Sequence, residues 1–393
     1  MKKISRIIFL LILILPEFLL SQTVLIDSLQ EGGFNLGPTF ADNGWSLVNG
    51  TATNAWYVGA TPSGFTGNCA YISNNGGASW SYTNNTSAKT VHFYRNVVLP
   101  QGINYMELSF SWINIGEVAP NDVLMVSIAP TTYTPSQTNT TAVILSKPAE
   151  TLAVLNNQGT VKRQKIYFSP QVVNTCTSSD SFRIIFSFRY NSSQGNNPPA
   201  AIDNISLILH SSPISISGGE FSVDLSQPDG PFNFSSLSKA IVASNAASQC
   251  VMTDSIILNI PGDQIFAEDL PWITYKGSAN ATLKIRQSTG GNRPIVRPFG
   301  SSWNRDFGIG LSGASYVDIE NIDVRVDPAN TNVEYGYFIK PQDAVKGSQY
   351  NKFIDATIVL NKNNPNSFGI LQTTNSSIVG FSVSNQSGSN SWN

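Results

Sequence analysis

Short apolar runs with a period of two dominate residues 24–210. In the run Phe182–Phe188, Phe and Ile side chains alternate with Arg183, Ile185 and Ser187, which predicts a strand with one buried and one mostly wet face. Clusters of Asn, Gly, Pro and Ser separate such runs, and no helical period intervenes. The pattern predicts an antiparallel β-sandwich or jelly roll. The runs are "TVHFYRNVVLP", "YMELSFSWINI", "DVLMVSIAP", "QKIYFSP", "SFRIIFSFRY" and "AIDNISLILH".

The pattern changes at residues 211–231, where Ser, Gly and Pro are frequent and predict a linker between two domains. Behind it, apolar residues lie at helical spacing from Phe234 to Ile241, with Ser235 as a candidate N-cap. We therefore expect one short helix at the start of a second domain, residues 232–393.

The strands of this second domain repeat along the chain. The segments that begin at Tyr316, Tyr350 and Asn375 align, with apolar residues at three recurrent positions and Asn, Asp or Gly at a turn position between them. Repeated strand–turn–strand units predict a solenoid, here a parallel β-helix with an inward apolar stack; the alternative is an ordinary sandwich. The equivalent residues are Ile319, Phe353 and Ile378; Ile322, Ala356 and Phe381; Val324, Ile358 and Val383; at the turn Asn321, Asp355 and Gly380; and the preceding strands begin at 307, 335 and 368.

Carboxylates crowd into the first of these repeats, between Ser315 and Asp327. If Val317 and the aliphatic residues that follow point inward, the carboxylates point outward, and the next repeat does not carry them. A repeated calcium ladder is therefore not predicted. We expect a solvated strand face; the alternative is a catalytic cluster, since glycosidases need two positioned carboxylates. The candidate catalytic residues are Asp318, Glu320, Asp323 and Arg325.

The first 21 residues have the pattern of a cleaved export signal. Lys2, Lys3 and Arg6 precede an apolar run, and Ser21 is a small residue at a suitable cleavage point. Pro16 interrupts the run, which is short for the alternative, a membrane anchor. No later segment is apolar enough to span a bilayer. We expect a secreted or cell-surface protein with no membrane span in the mature chain.

Composition supports β structure and argues against one class of binding partner. Only 12% of residues are charged, about half the usual share, and Asn, Ser, Thr and Gly replace them. Helical surfaces normally carry Lys, Glu and Arg, so uncharged polar faces favour strands. The net charge is -2 and no basic stripe is present, which argues against a nucleic-acid partner.

Three cysteines, Cys69, Cys176 and Cys250, are present, and an exported protein permits disulfides. The sequence does not fix the pairing. We expect Cys69 to pair with Cys176, since both fall in the first domain; the alternative is three buried or free thiols.

The start of the last strand of the first domain carries a candidate metal ligand, Asp203. A calcium ion takes oxygen ligands from several segments, and Asp27 and Glu31 near the first strand can supply more. These residues form a candidate site for a structural Ca²⁺, with a hydrogen-bonded turn as the alternative.

Aromatic residues cluster early in the chain. Flat rings stack on sugar faces and on protein partners, so Trp56, Trp80 and Tyr82 are candidate ligand contacts. Trp45, followed by an apolar run, is expected in the core.

Motifs for other chemistry are scarce. The only histidines, His92 and His210, precede the second domain and lie in or beside strand runs, so we expect them to be structural. The sequence contains no G-x-S-x-G, P-loop, H-E-x-x-H or Cys/His metal spacing.

The first domain resembles secreted bacterial jelly-roll modules of the cleaved-adhesin and MAM-like group, related in fold to concanavalin-like lectins. The segments that carry the resemblance are "GGFNLGPTFADNGWSLVNGTATNAWYVG", "HFYRNVVLPQGINYMELSFSW" and "AIDNISLIL". The resemblance implies adhesion, or glycan and protein binding at a cell surface, and a calcium ion near Asp203.

From "NFSSLSKAI" onward the chain resembles a pectin-lyase-like right-handed β-helix, with the helix as its N-terminal cap and "LSGASYVDIENIDV" as a coil. Its hydrolases carry paired Asp residues with Gly-His-Gly and Arg-x-Lys motifs, and residues 232–393 contain neither of these two motifs. Its lyases combine calcium-binding Asp residues with a basic proton acceptor. No C-terminal cap is evident, so we expect a natural protein longer than this chain.

Two functions follow as hypotheses. We favour an adhesin-like protein that binds extracellular glycans or surface proteins and is not catalytic in the region seen. The alternative is a polysaccharide lyase or glycoside hydrolase with a β-helix groove and an N-terminal carbohydrate-binding jelly roll.

Overall fold

The computed structural model describes residues 22–84, 87–102, 104–117, 121–136, 145, 148–191, 195–211, 218–288, 290–374 and 390. Over these residues the protein is almost all β, as predicted, with an antiparallel sandwich followed by parallel sheets. No helix in the described ranges has the length and apolar character that a membrane span needs. The predicted export signal, residues 1–21, lies outside the described residues and stays a prediction.

The first region is a β-sandwich of two antiparallel sheets. Its strands in the described part of the chain are β1 Gln22–Ile26, β2 Ser46–Val48, β3 Ala55–Gly59, β4 Cys69–Ser73, β5 Lys89–Leu99, β6 Asn104–Asn114, β7 Val123–Pro130, β8 Glu150–Leu155, β9 Gln158–Phe168, β10 Asp180–Tyr190 and β11 Ala201–Ser211. Sheet 1 has the order β3-β4-β11-β6-β9, with β1 paired to β11, and sheet 2 has the order β2-β5-β10-β7-β8. Neighbours in each sheet are mostly far apart in sequence.

Aromatic side chains from both sheets fill the space between them. The ring of Phe93 lies 5.0 Å from those of Phe40, Trp56 and Phe186 and 5.3 Å from that of Trp45, measured between centroids. Trp45 is therefore in the core, as predicted. Rings in tilted and edge-to-face contact combine large apolar burial with specific geometry, so this cluster is the centre of the first region.

The far face of β10 differs from the prediction of a mostly wet face. Arg183, Ile185 and Ser187 are all buried. The guanidinium of Arg183 lies 4.0 Å from the centre of the Tyr94 ring and donates to the Tyr133 carbonyl, because the chain after β7 folds back over this face. A single strand cannot reveal that a distant loop covers it.

The second region consists of three parallel sheets. Its strands in the described part of the chain are β12 Gly219–Val223, β13 Asn233–Phe234, β14 Ile256–Ile260, β15 Ile265–Phe266, β16 Leu283–Gln287, β17 Ile295–Val296, β18 Phe307–Ser312, β19 Val317–Glu320, β20 Asp323–Arg325, β21 Tyr335–Lys340, β22 Lys352–Ile354, β23 Ile358–Val359 and β24 Phe368–Gln372. Their orders are β13-β12-β14-β16-β19-β22 (sheet 3), β15-β17-β20-β23 (sheet 4) and β18-β21-β24 (sheet 5). Most strands pair with the equivalent strand of the next repeat, which is consistent with the predicted parallel β-helix.

Apolar ladders run through the inside of these sheets. In sheet 3, Ile285 pairs with Ile319, which pairs with Phe353. In sheet 4, Val324 pairs with Ile358, so two of the three predicted apolar equivalences between the first repeats are confirmed. The third copy, from Asn375 to Val383, lies outside the described residues.

Turns between sheets 3 and 4 use left-handed residues. Asn321 and Asp355 have φ of 57° and 51°, as the repeat predicts. Tyr316 and Tyr350, which lie before the sheet 3 strands β19 and β22, also have positive φ, 57° and 58°. Their rings stack 4.9 Å apart. The sequence gives no sign of this second pair, since a bulky residue is unusual in that conformation.

One α-helix, α1 Leu237–Ala247, and one 3-10 turn, Glu31–Gly33, are present in the described ranges. The N-cap of α1 is Ser236, and the prediction of Ser235 was wrong by one residue: the Ser236 side chain accepts from the amide of Lys239, while Ser235 bonds to Asp229. The helix packs on the outer face of sheet 1, where Tyr105 belongs to the same apolar cluster as the buried residues of the helix.

A second contact, at Ser302, also joins the two regions. The hydroxyl of Ser302 lies 3.0 Å from the amide of Val154 and 3.2 Å from its carbonyl oxygen, so it covers part of the edge strand β8. The segment predicted as a linker contributes β12 to sheet 3, and residues 212–217 lie outside the described ranges.

A disulfide also joins the two regions and corrects the predicted pairing. Cys176 is bonded to Cys250, while Cys69 is a free, buried thiol with its sulfur 3.6 Å from the Gly59 carbonyl. Cys176 lies in the loop after β9 and Cys250 directly follows α1, so docking of the helix on sheet 1 brings them together. Proximity in sequence favoured Cys69, but its position within β4 keeps it apart.

Candidate functional site

The outer face of sheet 1 carries half-buried aromatic rings, which we name the aromatic patch: Tyr57, Phe65 and Trp80. Tyr57 pairs directly with Tyr71 across β3 and β4, so both rings lie on this face. Beneath the patch is a small buried cluster, formed by Cys69, Tyr71, Ile113 and Ala201.

Hydrogen bonds and close packing hold these rings in place. The indole nitrogen of Trp80 donates to the Pro199 carbonyl at 3.0 Å, and the hydroxyl of Tyr71 donates to the Gly77 carbonyl at 2.6 Å. Gly77 has φ +87°, and a Cβ on it would lie 3.1 Å from the Tyr57 ring. Rings that are fixed before a ligand arrives lose little entropy on binding.

Two of the three predicted ligand contacts lie elsewhere. Trp56 is completely buried in the core, where its indole nitrogen donates to the Val91 carbonyl. Tyr82 is 5% exposed, and its hydroxyl donates to Asp122 at 2.6 Å. Both predictions were wrong, because these side chains fill the sandwich rather than its surface. Trp80 is half-buried, as a surface contact requires.

A polar strip lies beside the aromatic patch on the same face. Asp203 pairs with Ser111, which pairs with Arg163 on the edge strand β9. Burial raises the pKa of Asp203 to about 7. The guanidinium of Arg163 donates to the Asn204 carbonyl and to the Ser109 hydroxyl, at 2.8 and 2.7 Å.

The predicted calcium ligands are not brought together by their side chains. Asp27 accepts from the amide of Leu29, and Glu31 lies 3.3 Å from Arg95. Asp203 accepts from the amide and side chain of its neighbour Asn204. Among the described residues, no three His, Cys, Asp or Glu side chains are grouped to hold a metal. These carboxylates do not fit the ion as a set, and calcium stays a prediction.

Both histidines lie on strands of the first region and are buried. His92 Nδ1 lies 2.8 Å from the hydroxyl of Ser187, and burial lowers the pKa of this imidazole to about 4. The ring of His210 stacks on that of Tyr105 at 5.0 Å. These contacts are those of structural histidines.

A second candidate site is a groove of about 580 Å³ on the outside of sheet 4. Asp323 lies in it with both oxygens engaged: one accepts from the amide of Thr357, and the other from Arg325 at 2.8 Å. Arg293 lies 3.7 Å from the same carboxylate. Asp263 also lines the groove, so it contains two carboxylates and two half-exposed guanidinium groups.

The acidic segment is therefore not one solvated face. Asp318 and Asp323 are only 6% and 4% exposed, so the prediction was wrong for both. Asp318 lies in sheet 3, 3.7 Å from Lys352, and Glu320 is half-buried in the same strand. The turn at Asn321 separates these two from Asp323 and Arg325 in sheet 4. The four predicted catalytic residues thus do not converge on one site.

Sequence reasoning missed Tyr57, Phe65, Arg293 and Asp263 as site residues. A period-two signal was available for Tyr57, because a buried Trp56 puts its neighbour on the outer face. Arg293 and Asp263 come from earlier repeats, and only the register between repeats reveals that they lie beside Asp323.

Comparisons with known proteins add little. No family model matches the chain, and no curated protein sequence matches it. Among solved structures, the Stig cyclase Fisc from Fischerella sp. TAU is 14% identical, with 48% of this chain and 98% of that chain covered and a TM-score of 0.29. The carbohydrate-binding module TmCBM61, in complex with β-1,4-galactotriose, is 14% identical, with 46% and 97% covered and a TM-score of 0.28. The catalytic domain of a GH87 α-1,3-glucanase is 12% identical, with 83% and 56% covered and a TM-score of 0.18. These TM-scores are low, so the likenesses carry no argument about what this chain binds.

Proposed function

We propose that this protein is exported and binds an extracellular glycan through the aromatic patch. The observation that carries the proposal is the set of rings Tyr57, Phe65 and Trp80, which are half-buried on the outer face of sheet 1 and fixed by hydrogen bonds and packing. A sugar presents apolar C–H faces to such rings. Arg163, an exposed polar group of the adjacent strip, is available for its hydroxyls.

The wider setting supports an adhesin-like role. The Cys176–Cys250 disulfide is consistent with a protein outside the cytosol. In our proposal the second region is a right-handed parallel β-helix that serves as a stalk and holds sheet 1 toward its ligand. The partners are glycans of a surface or matrix, and no catalytic step is required.

Binding to a glycan array, followed by calorimetry on the best glycan, tests the proposal. We expect Trp80→Ala and Tyr57→Ala each to weaken binding about tenfold, since each removes a stacking ring. Tyr350→Ala is the matched control, because Tyr350 is 41% exposed in the second region. Binding that all three variants leave unchanged would rule out the patch.

The groove on sheet 4 favours a second candidate, a polysaccharide lyase or glycosidase. Two carboxylates, Asp263 and Asp323, lie in one groove with two arginines, and paired carboxylates are what glycoside hydrolysis needs. Release of reducing ends from polysaccharides by the intact chain is the assay. Asp323→Asn should abolish any cleavage if the groove is catalytic, and Glu320→Gln should not. Cleavage that survives Asp323→Asn rejects this candidate.

A further inference from the structure

A cleft of about 450 Å³ separates the edge of the sandwich from the second region. We name it the inter-region cleft. One wall is Lys162–Tyr167 of β9, and the other includes Ser238 of α1 and the segment before β18. The cleft is distinct from the groove on sheet 4.

Cationic side chains dominate the lining of the inter-region cleft. They are Lys162, Arg163, Lys165 and Arg305. Lys165 lies 2.7 Å from Glu107, whereas the other three form no ion pair within the described residues. Four cations and two carboxylates therefore line a space that is large enough for a sugar unit, and positive charge is in excess.

Two carboxylates, Glu268 and Asp269, also line the cleft and offset part of this positive charge. Asp269 accepts from the amides of Phe299 and Gly300, both at 2.8 Å. Glu268 accepts from the amide of Leu237 and the hydroxyl of Ser236 at the start of α1. Backbone and hydroxyl donors therefore hold both carboxylates in place.

Arg305 is the buried element of this site. It is 9% exposed, and its Nε has no hydrogen-bond partner among the described residues. A buried N–H donor without a hydrogen-bond partner is costly, and an anion that enters the cleft offsets that cost by accepting from it. The smaller cavity that Arg305 also lines is about 30 Å³, which is room for water but not for a sugar.

We propose that the inter-region cleft binds the carboxylate or sulfate groups of an acidic glycan. The proposal rests on the proposed function and names its ligand class. Strands in a sheet lie about 4.8 Å apart, so Tyr57 on β3 and Arg163 on β9, four strands away, are roughly 19 Å apart across the same face. One oligosaccharide can therefore cross from the aromatic patch to the cleft, with sugar faces on the rings and acidic groups at Arg163 and Arg305.

Paired polysaccharides test this ligand class with the full chain. The carboxylate pair is polygalacturonate and its full methyl ester; the sulfate pair is a sulfated galactan and agarose. We expect tighter binding of the acidic member of at least one pair, and a loss of that preference as NaCl increases. The double variant Lys162→Gln/Lys165→Gln should weaken binding of that acidic member about fivefold and leave its neutral partner unaffected. The control is Lys346→Gln/Lys352→Gln, the same loss of charge at side chains that are 56% and 66% exposed outside the cleft.

A third variant, Arg305→Met, addresses the buried cation, and its melting temperature is measured alongside because it alters a buried position. A folded Arg305→Met protein that keeps the full preference for acid overturns the proposal, as does equal binding of both members of each pair. If acidic and neutral members bind equally but Trp80→Ala weakens both, only the cleft fails. If neither Trp80→Ala nor Tyr57→Ala changes any binding, the proposed function fails as well.

Discussion

The two regions differ in how their strands pair and in which side chains fill their cores. In the sandwich, neighbours such as β4 and β11 are far apart in sequence, and one cluster of rings around Phe93 fills the interior. In the second region most strands pair with the equivalent strand of the next repeat, and ladders of aliphatic side chains such as Ile285 and Ile319 replace the cluster. The sandwich core is therefore a single unit, whereas the ladders divide the second core among repeats.

The two regions also differ in the groups that surround their buried carboxylates. The second region buries Asp323 in a pair with Arg325 from its own strand and with Arg293 from the preceding repeat. The sandwich buries Asp203 with hydrogen bonds only to Asn204. Burial raises the pKa of Asp203 to about 7, because the hydrogen bonds from Asn204 and the charge of Arg163 only partly offset the loss of water.

Truncation of the central ring should have the largest effect. We expect Phe93→Ala to lower the free energy of unfolding by about 3–5 kcal/mol, because it opens a cavity against at least four other rings. Ile285→Ala in a ladder should cost about 2–4 kcal/mol, since fewer atoms are removed and the cavity lies in one repeat. Urea unfolding followed by tryptophan fluorescence measures both.

Phe232→Ala is the control for the loss of a phenyl group. Its side chain is 72% exposed, and we expect a change below about 0.5 kcal/mol. A cost for Ile285→Ala equal to or above that for Phe93→Ala would contradict the contrast between a single core and a divided one.

Loss of the disulfide should come next. Cys176 and Cys250 are 74 residues apart and tie α1 to the sandwich. We expect Cys176→Ser/Cys250→Ser to lower the free energy of unfolding by about 2–4 kcal/mol, since the crosslink restricts the unfolded chain. The comparison is made by urea unfolding with and without reductant.

Cys69→Ala is the matched control. Its thiol is free, so we expect the same sensitivity to reductant as in the parent protein. If Cys69→Ala instead abolishes the effect of reductant, the pairing in the structure is incorrect.

Local sequence patterns predict most of the fold. Alternation over Phe182–Phe188 identifies a sandwich strand, and the equivalence of Val324 with Ile358 identifies parallel pairing, because side-chain period and repeat length are both local properties. The left-handed Asn321 follows from the same alignment.

The functional surfaces were less accessible to sequence reasoning, because they depend on which segments meet. A tryptophan in a strand-rich segment is equally suited to a core and to a surface: Trp56 of β3 is buried in the core, whereas Trp80, in the loop after β4, packs on the outer face of sheet 1. The inter-region cleft depends on the docking of α1 against β6 and β9, which no local pattern encodes. Arg305 therefore had no signal in the sequence.

The smallest effect we predict contrasts the two buried carboxylates through their pH dependence. The pKa of Asp203 is about 7 in the folded protein, above its ordinary value of 3.8, so the folded state holds a proton that the unfolded state releases between these values. Stability should fall as the pH rises from about 4 to 7, and Asp203→Asn should remove that loss. We expect the variant to gain about 1–3 kcal/mol over the parent protein at pH 8, and little at pH 4.

Asp323→Asn should behave in the opposite way, because it leaves Arg293 and Arg325 without their carboxylate and so destabilises the protein at pH 8. Asp254→Asn, at an exposed position, controls for the change of side chain. Unfolding free energies of the three variants and the parent protein at pH 4 and pH 8 complete the comparison. Equal behaviour of Asp203→Asn and Asp323→Asn would mean that the two regions hold their buried carboxylates in the same way.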